Sequence, residues 1–213
     1  MNDFTHVIQP SESYLRNDIP LKGKWNRDFF KNNNPIVLEL GCGKGEYALE
    51  LAKRYPKKNF IGIDIKGNRM YIGAEASNKL NLKNIGFLRV KIEDILHCFD
   101  IDEISEIWIT FPDPQIKKRR QRKRLTHPDF INKYNQIIND NGVIHLKTDS
   151  KFLYGYTLGM IHAGDHNLID CSDDIYGSDK KREDLDINTY YENMFISKKM
   201  KITYIRFSLN YIN

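Results

Sequence analysis

A single short stretch restricts the fold of this chain more than any other. Residues 36–40 (Ile-Val-Leu-Glu-Leu) form an apolar run that ends at the glycine loop, residues 41–45 (Gly-Cys-Gly-Lys-Gly), and apolar residues at helical spacing follow from Tyr47 to Tyr55. A buried strand, a glycine turn and a helix in this order are typical of the first ligand loop of nucleotide-binding α/β folds. The stretch therefore predicts a parallel sheet with a ligand site at the end of this strand.

Strand and helix patterns alternate along the rest of the chain. Six more apolar or alternating runs predict strands, at residues 59–64, 85–90, 104–110, 143–148, 168–171 and 201–209. Helical patterns lie at residues 68–82, 128–138 and 152–162, with shorter helices near 25–30 and 93–98. Asn141-Gly142 predicts a turn, and the charged segment 172–188 predicts a loop. Strands separated by helices indicate a mostly parallel α/β sheet.

Acidic residues recur where these strands end. Glu39, Asp64, Glu93, Asp113 and Asp149 each lie at or just beyond the end of a predicted strand. Right-handed crossovers bring the carboxyl ends of parallel strands to one edge of the sheet, where ligands of such folds bind. We therefore expect these five carboxylates to share one edge with the glycine loop.

The glycine loop favours a cationic ligand over a dinucleotide. A dinucleotide loop has the spacing G-x-G-x-x-G, whereas here the third glycine comes one residue early and Glu46 stands in the usual glycine position. Glu39 and Glu46 would repel a pyrophosphate but suit a ligand that carries a sulfonium and an ammonium group. Asp64 is placed to accept both hydroxyls of a ribose, which NAD and S-adenosylmethionine share. The pattern therefore favours S-adenosylmethionine, held at a loop whose glycines are Gly41, Gly43 and Gly45.

A second stretch joins one confined carboxylate to a run of cations. Residues 111–114 (Phe-Pro-Asp-Pro) follow the predicted strand 104–110, and the two prolines restrict the backbone around Asp113. Residues 117–124, the basic run, then carry seven basic side chains in eight positions. Such a run alone indicates a solvated surface or a localisation signal as readily as a nucleic-acid contact. Beside a fixed carboxylate it predicts a site for a polyanion. The predicted contacts to a nucleic-acid backbone are Lys118, Arg119, Arg120, Arg122, Lys123 and Arg124.

The composition narrows the class of protein further. With 213 residues, 40% of them hydrophobic, the chain suits one domain, and we assign residues 1–34 to an N-terminal extension and 35–213 to the domain. The net charge is +5, but the basic run supplies more than that, so the remainder is slightly acidic. Three separated cysteines predict neither a zinc site nor a disulfide framework. Without a signal peptide or a membrane-spanning run, we expect a cytoplasmic protein that binds no metal, as a monomer or a homodimer.

These stretches together resemble the bacterial tRNA (guanine-N7)-methyltransferase family. The resemblance rests on residues 38–45, on 111–114 with the basic run, on 147–149 (Lys-Thr-Asp), and on 189–192 (Thr-Tyr-Tyr-Glu) followed by Phe195. It extends over residues 35–209 in the family's order, and Phe-Pro-Asp-Pro with the basic run is its most specific part. It implies a Rossmann-like class I methyltransferase fold with a mostly parallel seven-stranded sheet, helices on both faces and an antiparallel C-terminal strand.

The resemblance also implies an activity and a set of site residues. The activity is methyl transfer from S-adenosylmethionine to N7 of the variable-loop guanine in tRNA. Asp113 is the implied catalytic residue. The implied donor contacts are Glu39, Asp64, Asp113 and an acid after the third predicted strand. The implied tRNA contacts are Lys117, Asp149, Thr189, Tyr190, Tyr191 and Glu192.

Two positions depart from the family's pattern. The family usually has Trp-Pro or Trp-His after the second proline, where this chain has Gln115-Ile116, so an aromatic surface is missing there. After the third predicted strand, where relatives often carry Asp or Asn, this chain has Lys91. The nearest acids are Glu93 and Asp94, and we assign the donor contact to Glu93.

The implied reaction limits what a catalytic carboxylate can do. Guanine N7 has a lone pair and no hydrogen, so its methylation needs no base to remove a proton. Positive charge moves from a sulfonium to the purine, so we expect Asp113 to stabilise that charge and to accept hydrogen bonds from the guanine N1–H and amino groups. Two alternatives stay open. One is a non-catalytic RNA-binding protein on the same fold, and the other is a methyltransferase for an exocyclic amine of another RNA, for which Asp-Pro-Pro-aromatic is expected.

Overall fold

A single sheet of eight strands runs through the structure, a computed structural model that describes residues 4–11, 17–177 and 183–210. The order across the sheet is β1-β4-β3-β2-β5-β6-β8-β7. The strands are β1 (Val7–Ile8), β2 (Ile36–Leu40), β3 (Asn59–Ile63), β4 (Ile85–Leu88), β5 (Ile104–Thr110), β6 (Ile138–Thr148), β7 (Asn167–Ser172) and β8 (Thr203–Ser208).

Helices and helical turns connect these strands. The α-helices are α1 (Glu46–Arg54), α2 (Gly67–Lys79), α3 (Pro128–Ile137), α4 (Lys151–Ala163) and α5 (Tyr190–Ser197). Trp25–Phe30 forms a π-helical turn, and Ile92–His97 and Lys118–Lys123 form 3₁₀ turns. Within the described ranges, no helix has the length and apolar character needed to cross a membrane.

The sheet topology determines where a ligand can bind. Strands β1 to β6 pair in parallel, and β8 lies antiparallel between β6 and β7. The predicted Rossmann-like sheet with an antiparallel C-terminal strand is therefore confirmed. The chain order reverses between β2 and β5, so a crevice opens at the carboxyl ends of these two strands.

The sheet contains one strand more than the seven predicted. Val7 pairs in parallel with Phe87, and Ile8 pairs with Leu88, so β1 lies at the edge beside β4. Two residues are too few to show an alternating pattern. The sequence analysis therefore could not detect this strand, which comes from the segment assigned to the N-terminal extension.

Strand β6 is longer than predicted and passes through the Asn-Gly sequence. Ile138 pairs with Ile104 of β5, whereas Val143 pairs with Glu106, so the register shifts within β6. A Cβ atom on Gly142 would lie 2.2 Å from the Ile138 side chain, so only glycine fits this irregularity. The predicted turn at residues 141–142 is wrong because neighbouring β5 continues to pair with both sides of it.

The two faces of β2 bury different side chains. Leu38 and Leu40 pack into one hydrophobic cluster, and Val37 packs into the cluster on the opposite face with Tyr47 of α1. Because side chains alternate along a strand, Glu39 shares the face of Val37. The Glu39 carboxylate is thereby directed toward the first turn of α1.

The segment before β2 packs on the same core. Trp25 is fully buried, and its ring stacks on Phe99 with centroids 5.5 Å apart. Its indole Nε1 donates a hydrogen bond to Cys98 O at 2.9 Å. The predicted short helix near residues 25–30 is confirmed as a π-helical turn that covers one end of the core.

Candidate active site

A cavity of about 380 Å³ opens where β2, β3, β5 and β6 end. The glycine loop, the Phe-Pro-Asp-Pro loop and α5 form its walls. Of the residues predicted as site residues, those that line it are Glu39, Gly41, Gly43, Asp64, Asp113, Asp149, Thr189 and Tyr191. The structure therefore brings together residues that are up to 152 positions apart in the chain, as the strand-end argument requires.

The three loop glycines are needed for two different reasons. All three have positive φ angles, 75° at Gly41, 56° at Gly43 and 69° at Gly45, which L side chains rarely adopt. A Cβ atom on Gly41 or Gly43 would meet nothing within 4 Å, so the backbone there faces the open cavity. A Cβ atom on Gly45 would lie 2.5 Å from the Phe87 ring, so this glycine allows α1 to approach the sheet closely.

Glu39 is held beneath the cavity by two hydrogen bonds. Ala48 N, in the first turn of α1, donates to Glu39 Oε2 at 2.9 Å, and the Thr110 hydroxyl donates to Oε1 at 2.7 Å. Burial, with a smaller contribution from the nearby Glu46 and Asp64 carboxylates, raises the pKa of Glu39 to about 7 despite these bonds. Glu39 is therefore an acid that a cationic ligand would help to ionise.

The raised pKa of Glu39 predicts a pH dependence of ligand binding. A cation in the cavity favours the ionised carboxylate, so affinity for S-adenosylmethionine should increase as pH rises through about 7 and level off above it. Calorimetry of the wild-type chain and of Glu39→Gln at each pH isolates this contribution, because other titrating groups affect both. Identical pH profiles for the two proteins would show that Glu39 does not sense the ligand.

Asp64 organises the loop that it faces. Gly43 N donates to Asp64 Oδ2 at 2.9 Å, and Lys66 N donates to Oδ1 at 2.8 Å. These backbone bonds hold the carboxylate at the end of β3 and on the cavity wall. Each carboxylate oxygen can accept a further bond, so Asp64 retains acceptors for hydroxyl donors.

The Phe-Pro-Asp-Pro loop has an unusual backbone conformation. Phe111 has a φ of 46°, a left-handed conformation that is costly for an aromatic residue, and its N–H donates to Lys147 O at 2.8 Å. Asp113 Oδ1 accepts a hydrogen bond from Gln115 N at 2.9 Å, and Gln115 also has a φ of 46°. Strained backbone of this kind is common where a fold holds a functional side chain in place.

Asp149 faces the cavity from the end of β6. It is half-buried, and this burial raises the pKa of its carboxyl above the usual value. A carboxylate that has lost solvent gains more from a hydrogen-bond donor or a cation than an exposed one does. Asp113 and Asp149 therefore place two acceptor groups on the same wall.

Helix α5 supplies the aromatic wall of the cavity. Tyr191 and Phe195 line it, and the Phe195 ring lies 5.7 Å from the Phe111 ring, centroid to centroid. Thr189 caps the helix by accepting a hydrogen bond from Glu192 N at 3.3 Å. The sequence analysis did not predict this helix, because its eight residues carry a charged residue and aromatic residues without clear helical periodicity.

The glycine loop and α5 contact each other directly. Tyr190 N donates to Glu46 Oε2 at 3.0 Å, and the Lys44 ammonium lies 4.4 Å from the centre of the Tyr190 ring. Lys44 and Glu46 also line the cavity. One side of the site is therefore built from the loop that begins α1 and from the first turn of α5.

Glu192 supports the cavity wall from behind. Its side chain is fully buried and pairs with Lys147, with Nζ 2.8 Å from Oε1. Tyr176 also donates to Glu192 Oε1, at 2.7 Å. The structure therefore does not bring Glu192, which was predicted to contact tRNA, onto the cavity wall.

Glu93 and Lys117 lie outside the cavity. Glu93 is exposed in the turn after β4, where its carbonyl accepts a hydrogen bond from Lys133 Nζ at 2.7 Å. The described cavity wall does not include Glu93 or Asp94. Lys117 is exposed at the start of the 3₁₀ turn Lys118–Lys123.

Most of the basic run is exposed, but its last residue is not. All six residues of the turn Lys118–Lys123 are exposed, and Arg122 pairs with Asp129 at 2.7 Å. Arg124 is only 5% exposed, and its guanidinium donates to Gln115 O. Arg124 therefore differs from the other predicted backbone contacts, because it is buried and two of its guanidinium nitrogens donate to the protein.

Several cavity residues had no predicted role. They are Cys42, Lys44, Glu46, Tyr47, Arg69, Thr110, Phe111, Pro112, Pro114 and Phe195. Glu46 was noted only as a charge that would repel a pyrophosphate and suit a cationic ligand, and Phe195 only as part of the resemblance. Thr110 could have been found from its position at a strand end, because its hydroxyl meets Glu39 on the neighbouring strand.

The residues present fit S-adenosylmethionine. The wall carries the carboxylates of Glu39, Glu46, Asp64, Asp113 and Asp149 but only two cationic side chains, from Lys44 and Arg69. The backbone of Gly41 and Gly43 faces space that a Cβ atom would fill. In the described ranges, no group of three or more His, Cys, Asp or Glu side chains is arranged to hold a metal ion.

Comparison with known proteins agrees with this chemistry. Residues 33–205 match a protein family described as "Putative methyltransferase". The chain is 50% identical to the tRNA (guanine-N(7)-)-methyltransferase of Christiangramia forsetii, over 97% of this chain and 93% of that protein. It is 47% identical to the protein of the same name from Porphyromonas gingivalis, over 98% of this chain and 86% of that protein.

A solved structure extends the comparison to three dimensions. The fold is similar to that of the 16S rRNA methyltransferase KamB, with a TM-score of 0.66 over 87% of this chain and 92% of that chain. Sequence identity in this comparison is 14%, so the similarity shows the fold alone. The class I methyltransferase fold that the sequence implied is confirmed.

Proposed function

This chain belongs to the tRNA (guanine-N(7)-)-methyltransferase family, and we propose that it methylates N7 of the variable-loop guanine in tRNA, with S-adenosylmethionine as the methyl donor. The observation that carries the proposal is a cavity rich in carboxylates that adjoins an exposed basic turn. The carboxylates of the cavity suit a cationic methyl donor and a purine that becomes cationic. The exposed basic turn suits the phosphates of an RNA backbone. We also propose that the enzyme acts in the cytoplasm.

The glycine loop and its acids form the proposed donor pocket. S-adenosylmethionine supplies an electrophilic methyl group on a sulfonium sulfur. Gly41 and Gly43 allow close approach to the backbone, Asp64 accepts hydrogen bonds from ribose hydroxyls, and Glu39 contributes negative potential from below. Glu93, which is exposed in the turn after β4, remains a proposed methyl-donor contact.

Asp113 and Asp149 form the proposed guanine side of the cavity. The purine gains positive charge during transfer, and a fixed carboxylate stabilises that charge without moving. Asp113 is fixed by two prolines and by the bond from Gln115 N. Because guanine N7 carries no proton, the role of Asp113 is electrostatic, and its oxygens also accept from the guanine N1–H and amino groups. Asp149, Thr189 and Tyr191 complete the proposed tRNA-contacting wall, and Tyr190, a further proposed tRNA contact, lies beside it in the first turn of α5.

The donor pocket is tested by substitution of Asp64. Asp64→Asn should weaken S-adenosylmethionine binding by about 1–3 kcal/mol, because it replaces a charged acceptor by a neutral amide. Isothermal calorimetry measures this directly, with Asp28→Asn, far from the cavity, as the matched control. Unchanged donor affinity in Asp64→Asn would contradict the pocket assignment. If the wild-type chain did not bind S-adenosylmethionine at all, the non-catalytic RNA-binding alternative would be favoured.

The basic turn is tested by its salt dependence. Replacing Arg119, Arg120 and Arg122 with alanine should weaken tRNA binding and flatten its dependence on salt, by about 0.7–0.9 slope units for each phosphate that the protein no longer neutralises. Donor binding should not change, because none of the three lines the cavity. Removing three exposed cations elsewhere, for example Lys53, Lys57 and Lys79, controls for net charge. A salt slope equal to that of the wild type would show that the turn is a solvated surface only.

A further inference from the structure

Arg124 differs from the rest of the basic run in its surroundings. Its guanidinium carbon lies 4.8 Å from the centre of the Phe152 ring and 4.4 Å from the centre of the Tyr156 ring, both on α4. The residue is 5% exposed, whereas every residue from Lys118 to Lys123 is exposed. A planar guanidinium is the cation that packs best against aromatic rings.

The backbone around Arg124 is anchored to the protein core. Tyr134 of α3 donates its hydroxyl to Leu125 O at 3.0 Å, and the hydroxyl groups of Thr126 and Thr157 lie 2.8 Å apart in the buried interior. Arg124 N donates to Gln121 O, so the same segment also closes the basic turn. The Arg124 side chain therefore projects from a fixed base.

Arg124 reaches from this base to the loop that holds Asp113. Its Nε and Nη2 both donate to Gln115 O, at 3.3 and 3.1 Å. Gln115 N in turn donates to Asp113 Oδ1 at 2.9 Å. Gln115 has a φ of 46°, a conformation that a non-glycine residue keeps only when its surroundings hold it. A continuous path of contacts thus joins α4 to the Asp113 carboxylate.

We propose that Arg124 is a positioning residue for Asp113, which it holds in place through the backbone of Gln115. The inference rests on the role proposed above for Asp113. In this role Arg124 does not touch the reacting groups, and its guanidinium contacts neither an RNA phosphate nor S-adenosylmethionine. Two donor groups on one carbonyl fix both the position and the tilt of the peptide that joins Gln115 to Ile116. The Gln115 N–H belongs to the preceding peptide, from Pro114, and the two peptide planes meet at the Gln115 Cα. With Gln115 held at a φ of 46°, fixing the first plane restricts the orientation of that N–H and of the Asp113 carboxylate that accepts from it.

The substitution that tests this role is Arg124→Lys. Lysine keeps the positive charge and the aliphatic stem, but it cannot lie flat between two rings or donate from two fixed nitrogens to one carbonyl. A phosphate contact would largely survive this change, whereas a positioning contact would not. Arg27→Lys, at an exposed arginine remote from the cavity, is the matched control.

The expected result separates rate from binding. At saturating S-adenosylmethionine and tRNA, the single-turnover rate of methyl transfer by Arg124→Lys should fall on the order of 10-fold. The reason is that a small displacement of the Asp113 carboxylate weakens its stabilisation of the transition state. The dissociation constant for tRNA and its salt slope should remain close to wild type. Hydrogen exchange at the Gln115 amide, read by NMR, should accelerate because its acceptor is no longer held.

A second variant covers the case in which Arg124→Lys does not fold. Phe152 is 43% exposed, and Phe152→Leu removes one ring beside the guanidinium while Arg124 remains. The transfer rate should then fall about 2- to 5-fold, as expected when one cation–π interaction is removed. Gln115 amide exchange should again accelerate.

Three outcomes would overturn the proposal. A salt slope lowered by the equivalent of about one phosphate in the uncharged variant Arg124→Gln, with an unchanged transfer rate in Arg124→Lys, would show that the residue contacts RNA. Wild-type transfer and wild-type Gln115 exchange in either variant would show that the contacts have no positioning role. A double variant with Asp113→Asn provides the third test. If Arg124→Lys slows that variant by its full factor, Arg124 does not act through Asp113.

The same experiments separate this proposal from the role of Asp113. Wild-type transfer by Asp113→Asn alone would contradict the electrostatic role. The exchange of the Gln115 amide in Arg124→Lys would still report whether Arg124 holds the loop. Loss of activity in Asp113→Asn with no effect of Arg124→Lys would leave the proposed function standing and remove the positioning role.

Discussion

Replacing Asp113 with asparagine is expected to slow methyl transfer by on the order of 10²-fold or more. Asparagine preserves the shape of the side chain and can accept the bond from Gln115 N, but it lacks the negative charge. That charge matters most where the purine becomes cationic, which is in the transition state. Affinities for S-adenosylmethionine and tRNA should therefore fall much less than the rate.

Single-turnover kinetics and equilibrium binding measure these two effects separately. Transfer of a labelled methyl group to tRNA gives the rate, and calorimetry or filter binding gives the affinities. Asp28→Asn, the same change at an exposed acid paired with Arg27, should leave the rate unaltered. A wild-type single-turnover rate for Asp113→Asn would show that the loop only positions the substrate. Asp149, on the same wall, would then be the first residue to test for the catalytic role.

Replacing Lys147 with methionine is expected to cost about 3–5 kcal/mol of folding stability. Lys147 and Glu192 are both fully buried, so the change leaves a carboxylate without its cation in a site that excludes water. The Lys147 ammonium also donates to Leu185 O at 2.8 Å and to Ile187 O at 3.2 Å. Its loss should therefore loosen the segment that leads into α5 and with it the aromatic wall of the cavity.

Chemical denaturation measures the stability of this variant, and a double variant provides the control. Lys147→Met with Glu192→Leu removes both charges, so it should recover much of the stability that the single variant lacks. It should not restore tRNA binding if Thr189 and Tyr191 depend on the ion pair for their positions. A destabilisation below about 1 kcal/mol in Lys147→Met would show that the pair does not hold α5.

The sheet and its active edge could be predicted because they follow from local patterns. Apolar runs such as residues 36–40 and 104–110 mark buried strands, and right-handed crossovers place their carboxyl ends together. Glu39, Asp64, Asp113 and Asp149 therefore could be assigned to one site without any knowledge of contacts. The structure places all four on one cavity wall.

Other features depend on tertiary contacts that no local pattern shows. Arg124 ends a run of similar cations, and only the rings of α4 distinguish it from its neighbours. Glu192 follows two tyrosines that suggest a binding surface, but its partner Lys147 lies 45 residues earlier in the sequence. Strand β1 is too short to show alternation, and the Asn-Gly sequence at 141–142 is held in a strand by its pairing with β5.

The most direct test of the account is to identify the nucleoside that the enzyme produces. Unmodified tRNA is incubated with the wild-type chain and labelled S-adenosylmethionine, digested to nucleosides and separated by chromatography with mass detection. The account predicts that the label appears in 7-methylguanosine, that digestion to oligonucleotides places it in the variable-loop fragment, and that Asp113→Asn produces it at a greatly reduced rate. Label on an exocyclic amine, or no transfer by a chain that binds both donor and tRNA, would contradict it.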